Sequence, residues 1–200
     1  MRVTPTSMPA SKSDIRKLMR ERRLELSARD RANASLHLCH RLKHHPFFEK
    51  AWTVGLYFPN DGEIAVTSLA AKPHSKRFYL PILPPPGLRR LWFGAYEPGA
   101  HMYTDRFGIP EPLTRVRARA EALDLIVVPL VAFDSTGGRI GMGGGFYDAS
   151  LSFLQRFPRI RPLRVVGAAY HFQQIDTIPK NDWDVPLHGV ITDQQFISAS

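Results

Sequence analysis

Three observations in this 200-residue chain predict one α/β domain: three layers, doubly wound, with a mostly parallel sheet. Runs such as Leu125-Ile126-Val127-Val128 are apolar at every position, as strands covered on both faces are. Strand-like runs alternate with segments whose apolar residues recur at helical spacing. At 44% hydrophobic content, with no internal repeat or low-complexity linker, the chain can bury one continuous core.

Residues 1–10, with Thr4, Pro5, Thr6, Ser7 and Pro9, read as a frayed tail, and 11–200 as the domain. Ser11 or Ser13 caps a first helix carrying Ile15, Leu18, Met19 and Leu26. Ser27-Ala28-Arg29-Asp30 opens a second, carrying Ala32, Leu36, Cys39 and Leu42, and Pro46 ends it. Thr53 to Phe58 is a strand closed by Pro59-Asn60-Asp61-Gly62, and Glu63 opens a short helix through Leu69. Arg77–Leu80 and Leu91–Phe93 are strands on either side of the rigid Pro84-Pro85-Pro86-Gly87 loop. Glu97 to Pro112 is rich in turn formers and reads as irregular; a charged helix follows over Arg115–Ala122. The buried strand Asp124–Val128, a helix to about Phe157, and strands at Arg164–Ala169 and Val190–Ile191 complete the order.

Charge is unevenly placed. The net charge is +9, and residues 1–50 hold twelve Lys/Arg against five Asp/Glu, an excess of +7. Such a bias suits nucleic acid, a small polyanion, or a solvated helix face. No RNA-module pattern of interleaved aromatics accompanies it, so nucleic acid rests on charge alone. No apolar run approaches a membrane span, and the first residues lack the apolar segment of a signal peptide. Cys39 is the only cysteine, which excludes an internal disulfide and fits a reducing, cytoplasmic setting. The eight histidines show no pair with helical metal-ligand spacing beside a carboxylate.

The most informative stretch is Arg139-Ile140-Gly141-Met142-Gly143-Gly144-Gly145-Phe146-Tyr147-Asp148. Glycines between a strand and a helix start bring bare backbone N–H groups to a phosphate, and Arg139 adds a fixed positive fork. Asp148 offers hard oxygens for magnesium beside the same phosphates. The stretch lacks the lysine and hydroxyl of a P-loop and the third small residue of a Rossmann turn. A left-handed glycine turn joining strand to helix is the plain alternative. Phe58, Arg139 and Tyr170 all follow strands, so all three are candidates for one cleft at the strands' carboxyl ends.

Taken in order, the motifs resemble those of the 5-formyltetrahydrofolate cyclo-ligase (5,10-methenyltetrahydrofolate synthetase) family. They are Lys12-x-x-x-Arg16, Tyr57-Phe58 with Glu63, Tyr79-Leu80-Pro81, Gly108-Ile109-Pro110-Glu111-Pro112, Val128-Pro129 with Ala132-Phe133-Asp134, the Arg139–Asp148 loop, Gly167-Ala168-Ala169-Tyr170 with Gln173, and Trp183-Asp184-Val185-Pro186. The resemblance spans about Lys12 to Phe196. It implies a doubly wound α/β fold and closure of 5-formyltetrahydrofolate to 5,10-methenyltetrahydrofolate, with ATP and Mg2+, releasing ADP and phosphate.

By that resemblance Lys12, Arg16, Arg139, Ile140, Gly141, Met142, Gly143, Gly144, Gly145, Phe146 and Tyr147 contact ATP, and Arg139 is the catalytic cation. Phe58, Glu63 and Tyr147 contact the folate; Asp148 and Asp184 serve magnesium, with Asp182 a competing ligand. Phe146 stands where tyrosine is frequent, and Ala149 where arginine is common. The substrate is expected with or without a polyglutamate tail, and the chain as a monomer without nucleic-acid or membrane partners. Glu63 has a plainer reading as a carboxylate favoured by a helix dipole, Asp184 as a loop cap, and Phe58 and Trp92 as core aromatics.

Overall fold

The computed structural model describes residues 11–71, 75–156, 163–179 and 181–199. Helix α1 (Lys12–Glu25) is capped by Ser11, whose hydroxyl accepts from the Asp14 N–H. Ser27 caps α2 (Ala28–Lys43) in the same way through Asp30. α2 ends just before Pro46, with His45 extended, and Pro46 also opens a further short helix, α3 (Pro46–Glu49), because its fixed φ and missing N–H suit a first helical turn.

Strands β1 (Thr53–Gly55), β2 (Arg77–Ile82) and β3 (Trp92–Tyr96) follow. Then come the hairpin β4 (Met102–Thr104) and β5 (Pro110–Pro112), the short β6 (Arg117–Ala118) and the central β7 (Leu125–Pro129). A second hairpin, β8 (Ala132–Phe133) and β9 (Arg139–Ile140), leads to α4 (Phe146–Leu151) and α5 (Phe153–Arg156). The chain closes with β10 (Arg164–Ala169), β11 (Gly189–Thr192) and β12 (Phe196–Ser198).

The main sheet has eight strands in the order β12-β11-β10-β7-β1-β2-β3-β6. β11, β10, β7, β1 and β2 run parallel; β12, β3 and β6 add antiparallel edges. β7 shows why three layers are needed. Leu125 and Val127 enter one core with Leu38 and Leu42 of α2 and Phe48 of α3. Ile126 and Val128 enter the other, with Leu151 of α4. The layer carrying α4 is thin, built as much from loops as from helix. A third, smaller cluster docks Ile15 and Met19 of α1 on Val131, Ala132, Ile140 and Ile178.

Several segments differ from the sequence reading. The strand predicted to Phe58 ends at Gly55, and Glu63 opens no helix; the next turn, of 3-10 type, begins at Thr67. The dipole explanation for Glu63 therefore falls away. Glu97–Pro112 is not irregular, because its turn formers sit at hairpin positions, with Gly99 and Gly108 at φ 86° and 79°. Of the charged helix expected over Arg115–Ala122 only a 3-10 turn at Ala120–Ala122 forms; Arg117–Ala118 is the edge strand β6, where the charges discourage further pairing. The helix after the glycines divides into α4 and α5, and its predicted end at Phe157, like the 1–10 tail, lies outside the described residues.

Candidate active site

The glycine loop follows β9 rather than the buried β7. The β8–β9 turn is tied by Asp134, whose carboxylate accepts from the Thr136, Gly138 and Ile178 N–H groups. Gly143 and Gly145 have φ of 98° and 66°, values a side chain resists. Gly145 is the N-cap of α4, which is only six residues long, so the loop's own N–H groups outweigh any helix dipole.

Basic residues surround this loop. Arg16 Nε donates to the Gly141 carbonyl at 2.8 Å, and its guanidinium lies against Gly143. Lys12 Nζ stands 3.5 Å from Asp184 Oδ2, which also accepts from the Asn181 N–H. Arg139 is only 6% exposed; Nη2 pairs with Asp148 Oδ1 at 2.5 Å and Nη1 donates to the Val185 carbonyl. Asp148 also accepts from the Val185 N–H at 3.4 Å. Lys12, Arg139, Asp148 and Asp184 thus converge on the Asp184–Val185 segment. Met142 is exposed, Ile140 buried, and Phe146 packs edge-on to Phe107.

Two cations escaped the sequence reading: Arg89 beside Gly145, and Arg106, which lies over the Phe107 and Phe146 rings. Both belong to loops distant in sequence, and only the charge itself could have marked them. No group of three or more His, Cys, Asp or Glu that could hold a metal occurs among the described residues.

Glu63 belongs to the loop that follows β1. Its side chain is 9% exposed; Oε2 accepts from the Asn60 N–H, and Oε1 stands 3.9 Å from Arg23 Nη1. Burial pushes its carboxyl up to about 7, with the Asn60 N–H and Arg23 pulling the other way. The half-buried Tyr147 hydroxyl is pushed upward by burial and by the Glu63 charge, and pulled the other way by Arg139. Phe58 is half-buried with its ring edge-on to Tyr96 at 6.3 Å. Trp92, read as a core aromatic, is half-buried beneath the Arg119 guanidinium, 3.4 Å from its ring centre. A cavity of about 450 Å³ beside Glu63 is lined by Leu24, Arg31, Ser35 and Pro59, within the range that small-molecule sites occupy.

Such an arrangement can neutralise several phosphate charges on one side and offer a carboxylate acceptor and aromatic rings on the other. Known proteins show the same combination of sequence and fold. The 5-formyltetrahydrofolate cyclo-ligase of Haemophilus influenzae is 40% identical over 71% of this chain and 76% of its own length. That of Escherichia coli K12 is 35% identical over 88% and 96%. The solution structure of 5,10-methenyltetrahydrofolate synthetase from Aquifex aeolicus superposes with a TM-score of 0.77 at 32% identity, covering 94% of this chain and 92% of that one. The sequence profile of the 5-formyltetrahydrofolate cyclo-ligase family matches residues 8–193, nearly the whole chain, and the chain belongs to that family of enzymes.

Proposed function

We propose that the chain closes 5-formyltetrahydrofolate to 5,10-methenyltetrahydrofolate, using ATP and Mg2+ and releasing ADP and phosphate. One observation carries the reading: a glycine loop with Lys12, Arg16 and Arg139 around it shares the fold with the buried carboxylate of Glu63, and the Tyr147 hydroxyl feels the charge of both Arg139 and Glu63. The formyl group on N5 is an amide, and its oxygen leaves poorly. Transfer of the γ-phosphoryl group to that oxygen converts it into phosphate. N10 then attacks the formyl carbon, the carbon–oxygen bond breaks, phosphate leaves, and N10 gives up its proton.

Alignment and charge neutralisation supply most of the rate in such a transfer. Arg16 and Lys12 hold the nucleotide from α1, the loop N–H groups and Arg139 face its phosphates, and Glu63 accepts from the donor edge of the folate beside Phe58 and Tyr147. The hard carboxylate oxygens of Asp148 and Asp184 fit magnesium, though two carboxylates already ion-paired need phosphate and water oxygens to complete the ion's shell. Bound there, the ion would draw charge from the phosphates. Five of the six basic side chains of α1, Lys12, Arg16, Arg20, Arg22 and Arg23, turn to partners within the molecule, which favours this reading over nucleic acid. The remaining N-terminal charge attracts a glutamate tail on the folate. The reading includes a monomer acting in the cytoplasm; among the described residues no helix is long and apolar enough to cross a membrane.

The direct test mixes the purified chain with ATP, Mg2+ and 5-formyltetrahydrofolate and follows the near-ultraviolet band of the methenyl product. Growth of that band, dependent on both ATP and metal, is the expected result; ATP hydrolysis without it would overturn the assignment.

A further inference from the structure

The buried face of α1 is Ile15, Met19 and Arg23, spaced by four residues along one stripe. The third position calls for an apolar residue, yet holds a guanidinium at 0% exposure. Arg23 Nη2 donates to Asp61 Oδ2 at 3.2 Å, while Nη1 faces Glu63 Oε1 at 3.9 Å. Its Nε and Nη1 have no hydrogen-bond partner. The Asn60–Glu63 loop is shaped around it: Asp61 takes a left-handed φ of 52°, and a side chain at Gly62 would meet the Arg23 Cβ.

A buried ion pair seldom stabilises a fold more than apolar residues of the same volume. Core stability therefore gives α1 little reason to bury an arginine here. Glu63 supplies one. Taken from water, a carboxyl holds its proton and becomes a donor at one oxygen, a poor match for a ligand edge that itself presents N–H groups.

We propose that Arg23 is a positioning residue: the fixed counter-ion that lets the buried Glu63, aimed at the donor edge of the folate, ionise at all near neutrality. The proposal rests on Glu63 contacting that edge. The other groups near Glu63 do not replace Arg23. Arg31 lines the same cavity but turns its Nη1 to the Leu26 carbonyl and forms no ion pair with Glu63. Asp61 opposes ionisation, although Arg20 Nε, 2.8 Å from Asp61 Oδ1, offsets part of its charge. The Tyr57, Tyr147 and Tyr170 hydroxyls all hold their protons more tightly than usual because they are buried, so they stay neutral. The Asn60 N–H contributes one hydrogen bond to Oε2.

The test uses full-length R23M and R23K beside the parent and E63Q. In ligand-free protein, the infrared band of the protonated carboxyl that E63Q lacks is titrated with pH. Its midpoint should rise in R23M by roughly one unit or more, the scale of an opposite charge at this range, and return toward the parent in R23K. Binding of 5-formyltetrahydrofolate should fail on the acid side at correspondingly higher pH in R23M, a shift that a purely structural loss would not produce, while thermal unfolding falls because Asp61 and Glu63 lose a buried partner. An R23M midpoint equal to the parent's overturns the proposal, whatever E63Q does. Folate binding by E63Q as tight as the parent's instead overturns the folate role of Glu63, and the ligand-free titration keeps the two failures apart.

Discussion

Arg16 on the first helix donates its Nε–H to the carbonyl of Gly141, 125 residues later, at 2.8 Å. The same guanidinium lies alongside Gly143, so one side chain fixes the loop's path from outside. Two consequences should separate in experiment. Arg16→Ala removes a charged hydrogen bond, a loss of about 1.5–3 kcal/mol, so the ATP concentration for half-maximal rate should rise at least about tenfold. Folate affinity measured without ATP should hardly move. Equal losses for both ligands would show that α1 had detached.

Arg139 is held on two sides, by Asp148 and by the Val185 carbonyl. Arg139→Ala should cut turnover by about 2–4 kcal/mol of transition-state stabilisation, as a lost electrostatic donor does. It should also lower the melting temperature, because Asp148 loses its partner. Arg139→Lys keeps the charge without the two-pronged geometry and should recover stability more than rate. Turnover of the lysine variant close to the parent's would reduce Arg139 to a point charge.

For Asp148→Asn and Asp184→Asn, the magnesium concentration for half-maximal rate should increase. Asp184→Asn should raise the ATP requirement as well, since it strips Lys12 of its ion-pair partner. Titrations of each ligand at saturating levels of the other resolve the two effects. Unchanged metal dependence in both variants would end the magnesium assignment.

Glu63 makes the fold sensitive to pH in an unusual direction. Its folded carboxyl sits near 7 against 4.5 ordinarily, so between those values the folded state binds more protons than the unfolded one. Stability contributed by this group is therefore present at pH 4.5 and declines as pH rises to about 7, by at most about 3 kcal/mol. E63Q should flatten that decline. Chemical denaturation of both proteins at pH 5 and pH 7.5 measures it; a parent gaining stability over this interval relative to E63Q would reverse the sign and refute the account.

Where one signal dominated, sequence alone located the elements well. Arg164–Ala169 is apolar on both faces and forms a strand over those same residues; Ser11, one of two caps read for the first helix, and Ser27 are the caps, while Ser13 lies inside α1. Arg115–Ala122 went wrong because its charges fit a solvated helix and an edge strand equally, and only the neighbouring β3 decides between them. β12 was missed for a similar reason, being a three-residue edge with little apolar pattern of its own. The glycine loop, Lys12, Arg16, Asp148 and Asp184 were visible as residue types in order, and the structure brings them together. Arg23 was not visible. On a helix carrying six basic residues, nothing in the spacing distinguishes an arginine that faces water from one turned into the core.

The docking of α1 has a consequence for how the protein is made. Ile15 and Met19 rest on Val131, Ala132, Ile140 and Ile178, so this half of α1 leaves the ribosome more than a hundred residues ahead of its seat. At ordinary elongation rates the interval is on the order of ten seconds. Throughout it the apolar stripe of a cationic helix waits uncovered. The enzyme can therefore assemble its sheet first and become competent only when Lys12 and Arg16 arrive with the docked helix.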